Sequence, residues 1–114
     1  MSLFVILTCL IVLIFALLGG AKILALEPMR ELAVHAGFTT AAYRVIGASE
    51  LAGAVGIALG LLVSWCGALA GVGLVVLLTG AAITHLRNGD GVPKLVPAVV
   101  CAALVGGYLV LLAT

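Results

Sequence analysis

The chain has 114 residues, of which 66% are hydrophobic and 8% charged, where a soluble domain is about 45–50% apolar and about 25% charged. One domain of this length cannot hide so much apolar surface in its own interior, so lipid is the expected solvent for most of it. A formal charge of +1 excludes the basic field that nucleic-acid binding needs, and Cys9, Cys66 and Cys101 form neither a CxxC pair nor a zinc-like spacing with His35 or His85.

Four stretches reach the ~20 residues that a bilayer core requires. Backbone in lipid must satisfy its polar groups within its own segment, so these stretches read as helices, and the period-2 alternation of a barrel is absent. The first span covers about 3–26, with Lys22 near its end. No Lys or Arg precedes it and more membrane-length segments follow, so it reads as a span and not as a cleaved signal peptide. "EPMRELAVHAGFTT" (27–40) comes next. Pro28 suits a helix start, and Met29, Leu32, Ala33 and Ala36 fall at i, i+3, i+4 and i+7. Arg30, Glu31 and His35 then point elsewhere, and Gly37 suits a C-cap. The segment is expected to be a short interfacial helix lying along the membrane; an ordinary polar loop is the alternative.

The second span, about 43–63, has Arg44 near its start and is interrupted only by Glu50. It also carries Gly53, Gly56 and Gly60. Little more than Ser64 joins it to the third span, about 65–86, with Trp65 as an interfacial anchor. So short a link predicts an antiparallel hairpin. Gly67 and Gly71 repeat the GxxxG spacing in the third span, Gly80 follows, and His85 and Arg87 mark its end. Small faces let membrane helices approach closely; they fit a compact bundle and leave a homodimer open. "RNGDGVPK" (87–94) forms the next turn, and the fourth span covers about 95–113, with Pro97 expected in its first turn. The expected architecture is all-α: one domain over 1–114, an integral membrane four-helix bundle with a short interfacial helix between its first two spans.

Depth brings the ionisable residues together. At ~1.5 Å rise per residue, Lys22, Arg44, Glu50, His85 and Arg87 all fall within about 10 Å of one membrane face. Each has a plain reading. Lys22 can snorkel to the interface, Arg44 and Arg87 can be interfacial, and His85 can be a neutral helix-end residue. Glu50 is harder, because a buried carboxylate must stay protonated or find a cation. A Lys22–Glu50 pair with His85 or Arg87 nearby answers that need. Such a cluster serves as structural glue or as a ligand site, and the residues leave both open. No nucleophile–base arrangement, phosphate loop or metal box is present. Arg30, Arg44, Arg87 and Lys94 all flank the cluster side, so the positive-inside rule places loops 1–2 and 3–4 in the cytoplasm.

"GGAKIL" (19–24), "ASELAGAVGIALGLL" (48–62) and "LTGAAITHLRNGD" (78–90) together resemble the DoxX-like family of small bacterial membrane proteins, in order and over nearly the whole chain. The resemblance implies a four-helix bundle in the bacterial cytoplasmic membrane, with the family's recurring Lys, Glu and His/Arg positions falling on Lys22, Glu50, His85 and Arg87. The broader group takes its name from a subunit of an archaeal thiosulfate:quinone oxidoreductase and looks related to eukaryotic membrane proteins that assist receptor assembly or cargo export.

Three functions follow as expectations. The leading one is a non-catalytic module whose polar cluster binds a small amphiphilic ligand or a partner's membrane helix. The second, implied by the resemblance alone, is an accessory subunit of a membrane oxidoreductase that contacts quinone. A small proton-coupled dimeric transporter is the third, weakened because Glu50 lies in the second span and has a lysine to pair with.

Overall fold

The computed structural model describes residues 2–24 and 27–114; Met1, Ala25 and Leu26, and the side chains of Ala36, Thr40 and Lys94, lie outside the described residues. The expected end of the first span at Leu26 therefore falls outside them. Five helices follow in chain order: α1 (Leu3–Ile23), α2 (Glu27–Ala36), α3 (Thr40–Leu59), α4 (Ser64–Arg87) and α5 (Val92–Ala113). No strand occurs among the described residues. Ser2 caps α1, its Oγ accepting the Val5 N–H at 3.3 Å, and Thr39 Oγ1 caps α3 by accepting the Ala42 N–H at 3.0 Å. Four of the helices are long and apolar enough to cross a membrane. At ~1.5 Å per residue they extend about 30–36 Å, against a hydrocarbon core of ~30 Å. The short α2 fits the expected interfacial element.

The long helices pack in a ring: α1 against α3, α3 against α4, α4 against α5, and α5 back against α1. Ile11, Phe15, Ala54, Ile57, Leu74, Val105 and Tyr108 fill the space between them. Outside, Leu13, Leu17, Val55, Leu69, Val76 and Val110 are each more than half exposed. Inside are Gly19, Gly47, Gly60, Gly67, Gly71 and the carboxylate of Glu50, all buried. The interior thus combines bulky apolar side chains with glycines and one carboxylate, while the outer faces are apolar as well; glycines at the contacts let the helices approach closely.

Three boundaries differ from expectation, the first being the start of α3 at Thr40, three residues ahead of the expected 43, where Thr39 caps it. α3 ends at Leu59, residues 60–63 form the turn, and Ser64 already opens α4. The reason is a close approach: a Cβ on Gly60 would stand 2.9 Å from the Gly67 Cα. The Tyr108 hydroxyl lodges beside this point and donates to the Ile57 carbonyl at 3.1 Å. The chain thus reverses at a point of close backbone approach. The fifth helix starts at Val92, three residues ahead of the expected 95, because extended Gly91 (φ −74°, ψ 171°) leads directly into Pro93 in the first turn. Pro97 consequently lies inside the helix and not in its first turn. There it removes the i→i−4 bond to the Pro93 carbonyl.

The same C-terminal device closes α2 and α4. Gly37 (φ 82°) and Gly89 (φ 68°) take the left-handed conformation that glycine adopts without a Cβ penalty. Behind them Phe38 N–H reaches the Ala33 carbonyl at 2.8 Å, and Asp90 N–H reaches the His85 carbonyl at 2.9 Å. Both are Schellman closures. The second one folds the chain back so that Asp90 lies beside His85.

Candidate functional site

The site begins with two glycines. Gly19 on α1 and Gly47 on α3 face each other so closely that a Cβ on Gly19 would lie 2.7 Å from the Gly47 carbonyl oxygen. A Cβ on Gly47 would lie 2.6 Å from the Lys22 Cβ. Lys22 and Glu50 follow these glycines at i+3, on the same helix faces. The close backbone approach therefore brings the two side chains together. Lys22 Nζ donates to Glu50 Oε1 in an ion pair, and Glu50 is only 4% exposed. The ammonium also lies 5.2 Å from the centroid of the Tyr43 ring, within the range of a cation–π contact. Tyr43 in turn stacks on Phe38 at 6.2 Å between centroids.

A second polar group stands nearby. Asp90, in the turn between α4 and α5, accepts from His35 Nε2–H at 2.6 Å and from His85 Nδ1–H at 2.8 Å, one histidine on each carboxylate oxygen. Asn88 adds a bond of 3.4 Å from its Nδ2 to the His35 carbonyl. These contacts tie α2 to the turn between α4 and α5. They give His35, expected off the apolar face of its helix, a partner on the turn between α4 and α5.

Both groups border one cavity of about 630 Å³. Phe15, Leu18 and Lys22 of α1 line it, with Tyr43, Ile46 and Glu50 of α3, Leu77, Ala81 and Thr84 of α4, and Pro93, Pro97 and Cys101 of α5. α2 lies along it through Met29, Leu32 and His35. The Thr84 hydroxyl is already committed to the Gly80 carbonyl at 2.9 Å. Most of the wall is therefore apolar, and its polar groups are the Lys22–Glu50 pair with Tyr43 beside it, the two histidines that Asp90 holds, Thr84 and the Cys101 thiol.

Of the residues singled out by depth, Lys22, Glu50 and His85 line this cavity. Arg44 and Arg87 are exposed, do not line it, and form no ion pair among the described residues. Gly53, Gly56 and Gly60 face α4, where a Cβ would meet Leu74 at 2.6 Å, Ala70 at 2.5 Å and Gly67 at 2.9 Å respectively. A Cβ on Gly71 would meet Leu109 of α5 at 2.5 Å. Gly80 has open space around it. Sequence reasoning did not reach Asp90, Tyr43, Cys101, or the Gly19–Gly47 contact. Asp90 did carry a signal, since the two loops on one side of a four-span protein bring it and His35 to the same face. Cys9, Cys66 and Cys101 are all free thiols. No group of three His, Cys, Asp or Glu is disposed to hold a metal ion among the described residues.

Comparison with known proteins adds one finding. A family model described as the DoxX-like family matches residues 6–107. No curated protein and no solved structure matches the chain. The family match runs from inside α1 to inside α5 and takes in every helix that contributes to the cavity; the chain belongs to the DoxX-like family of membrane proteins.

Proposed function

We propose that this DoxX-like protein is a non-catalytic membrane module that holds a small amphiphilic ligand in the cavity beside Lys22 and Glu50. In this reading residues 1–114 form one domain, the four long helices form a bundle across a bacterial cytoplasmic membrane, and α2 lies along its surface. The apolar outer faces of α1, α3, α4 and α5 support that placement. Arg30, Arg44, Arg87 and Lys94 all flank the cavity end, which supports a cytoplasmic position for it.

The observation that carries the reading is the cavity itself: about 630 Å³, walled by apolar side chains, with a buried ion pair on its surface. Small-molecule sites span ~300–1,000 Å³ and combine an apolar lining with a few convergent polar groups. A partner's membrane helix is a weaker occupant, since it would dock on an outer face, whereas Glu50 is turned inward and 4% exposed. The test is native mass spectrometry of protein released from mild detergent, with organic extraction of whatever it retains. Wild type is expected to carry a small lipophile in a one-to-one complex, and Glu50→Gln to lose it while keeping its helical circular dichroism. Loss of helical signal both in Glu50→Gln and in the charge-free Lys22→Met/Glu50→Gln protein would instead make the pair a scaffold and overturn the reading.

A further inference from the structure

The unused hydrogen-bonding capacity of the ion pair defines the head group that this cavity accepts. An ammonium has three N–H donors and a carboxylate has two acceptor oxygens. Lys22 commits one donor to Glu50 Oε1, and among the described residues its ammonium otherwise meets the face of Tyr43. Glu50 Oε2 has no hydrogen-bond partner among the described residues. It is also not a sealed, orphaned atom, because no buried side-chain oxygen or nitrogen lacks a partner among the described residues. The pair therefore meets the cavity with spare donors on one side and a spare acceptor on the other.

Charge narrows the choice further. Lys22 and Glu50 cancel, so the wall around them carries no net charge for a ligand to neutralise. An anionic head would face Glu50, a cationic one would face Lys22, and either would bring an uncompensated charge into an apolar space. Each histidine that also lines the cavity spends one ring nitrogen on Asp90. A neutral head that only accepts, such as an ether or a ketone, uses Lys22 and leaves Glu50 Oε2 unanswered. A hydroxyl accepts from Lys22 Nζ and donates to Glu50 Oε2 at once.

We infer that the cavity selects uncharged amphiphiles bearing a hydroxyl head group, which bridges Lys22 and Glu50 while the hydrocarbon body lies against the apolar wall. This rests on the reading of the cavity as a ligand site and specifies its ligand class. Sites built to hydrogen-bond a hydroxyl discriminate strongly against analogues that lack it, because their own polar groups are left unpaired.

Four probes that share the oleyl chain test it: oleyl alcohol, oleyl methyl ether, oleyl sulfate and oleyltrimethylammonium. The two ionic heads keep their charge at any working pH. Binding to the full chain in mild detergent is read by thermal stabilisation and by native mass spectrometry. Oleyl alcohol is expected to bind one-to-one and at least about tenfold more tightly than each of the other three. The Lys22→Met/Glu50→Gln protein should lose that preference. An ether as tight as the alcohol overturns the bridging hydroxyl, and a charged probe as tight as the alcohol overturns neutrality; in both cases the cavity still binds an amphiphile. No binding by any of the four overturns this inference together with the reading beneath it. The comparison on wild type stands whether or not the double variant folds.

Discussion

Gly47 of α3 packs against the Lys22 side chain of α1: a Cβ there would lie 2.6 Å from the Lys22 Cβ and 2.8 Å from the Gly19 carbonyl oxygen. The contact is between backbone and the root of a side chain, so the neighbours cannot swing aside. Gly47→Ala must push α1 and α3 apart at the level where Lys22 reaches Glu50. Overpacking of this kind costs about 1–3 kcal/mol. Gly20, one residue from Gly19, has nothing within 4 Å of where an added methyl would stand, so Gly20→Ala should be neutral or gain up to about 1 kcal/mol from helix propensity. Unfolding of the two variants by graded denaturing detergent compares them directly. Equal stabilities would mean that the glycine contact does not set the spacing of the helices.

The ion pair makes a second prediction, about coupling. Removing one partner of a buried pair leaves the other charge uncompensated and costs about 3–5 kcal/mol. Lys22→Met and Glu50→Gln should each fall in that range, since Lys22 and Glu50 are 13% and 5% exposed at their side chains. The double variant buries no charge at all and should recover most of the loss. A double-mutant cycle on unfolding free energy reads this coupling. Additive losses would show that each residue is held by something other than its partner.

The spans and the depth of the pair were legible in the sequence because lipid imposes both. Length and apolar content identify the helices, and Lys22 and Glu50 sit at matching depths counted from one face. Rotation about the helix axes was less legible. α1 is apolar on all sides, so no stripe marks which way it faces. Depth alone therefore grouped Arg44 and Arg87 with the cavity residues. At ~100° per residue, Arg44 and Glu50 point roughly 120° apart on α3, and His85 and Arg87 roughly 160° apart on α4. Helical periodicity could have separated them. The His35–Asp90–His85 bridge was harder to reach, because it joins a short helix to a distant turn and depends on two left-handed glycines that place its members.

That bridge predicts how α2 is held. Asp90 binds His35 of α2 and His85 of α4 through separate oxygens, while α2 packs only lightly on α1 and α3. Asp90→Asn keeps the size of the side chain but removes the charged acceptor. Hydrogen bonds to a charged group contribute about 1.5–3 kcal/mol, reduced here because the His35 side chain is 46% exposed. A loss of about 1 kcal/mol raises local opening roughly fivefold. Hydrogen exchange should therefore quicken across 27–38 in Asp90→Asn and leave the centres of α1 and α3 unchanged. Uniform acceleration throughout the protein would show instead that Asp90 supports the whole fold.

At the opposite end of the bundle, Tyr108 does for α3 and α4 what a cap does for a single helix. Its hydroxyl donates to the Ile57 carbonyl at 3.1 Å, and its ring stacks on Phe4 at 5.1 Å between centroids. Tyr108→Phe keeps the ring contact and loses the hydrogen bond, a cost of about 1 kcal/mol. Gly67→Ala should cost more, because its methyl would run into the Tyr108 hydroxyl and stand 3.0 Å from the Gly60 Cα. Only the first of these two clashes involves the hydroxyl. Combining Gly67→Ala with Tyr108→Phe removes that clash and leaves the backbone one, so the double variant should lose less than the two singles added together. Thermal unfolding of the four proteins in one detergent measures the difference. Strict additivity would mean that the methyl and the hydroxyl never compete for the same space, and the glycines at the turn would then be explained by the backbone approach alone.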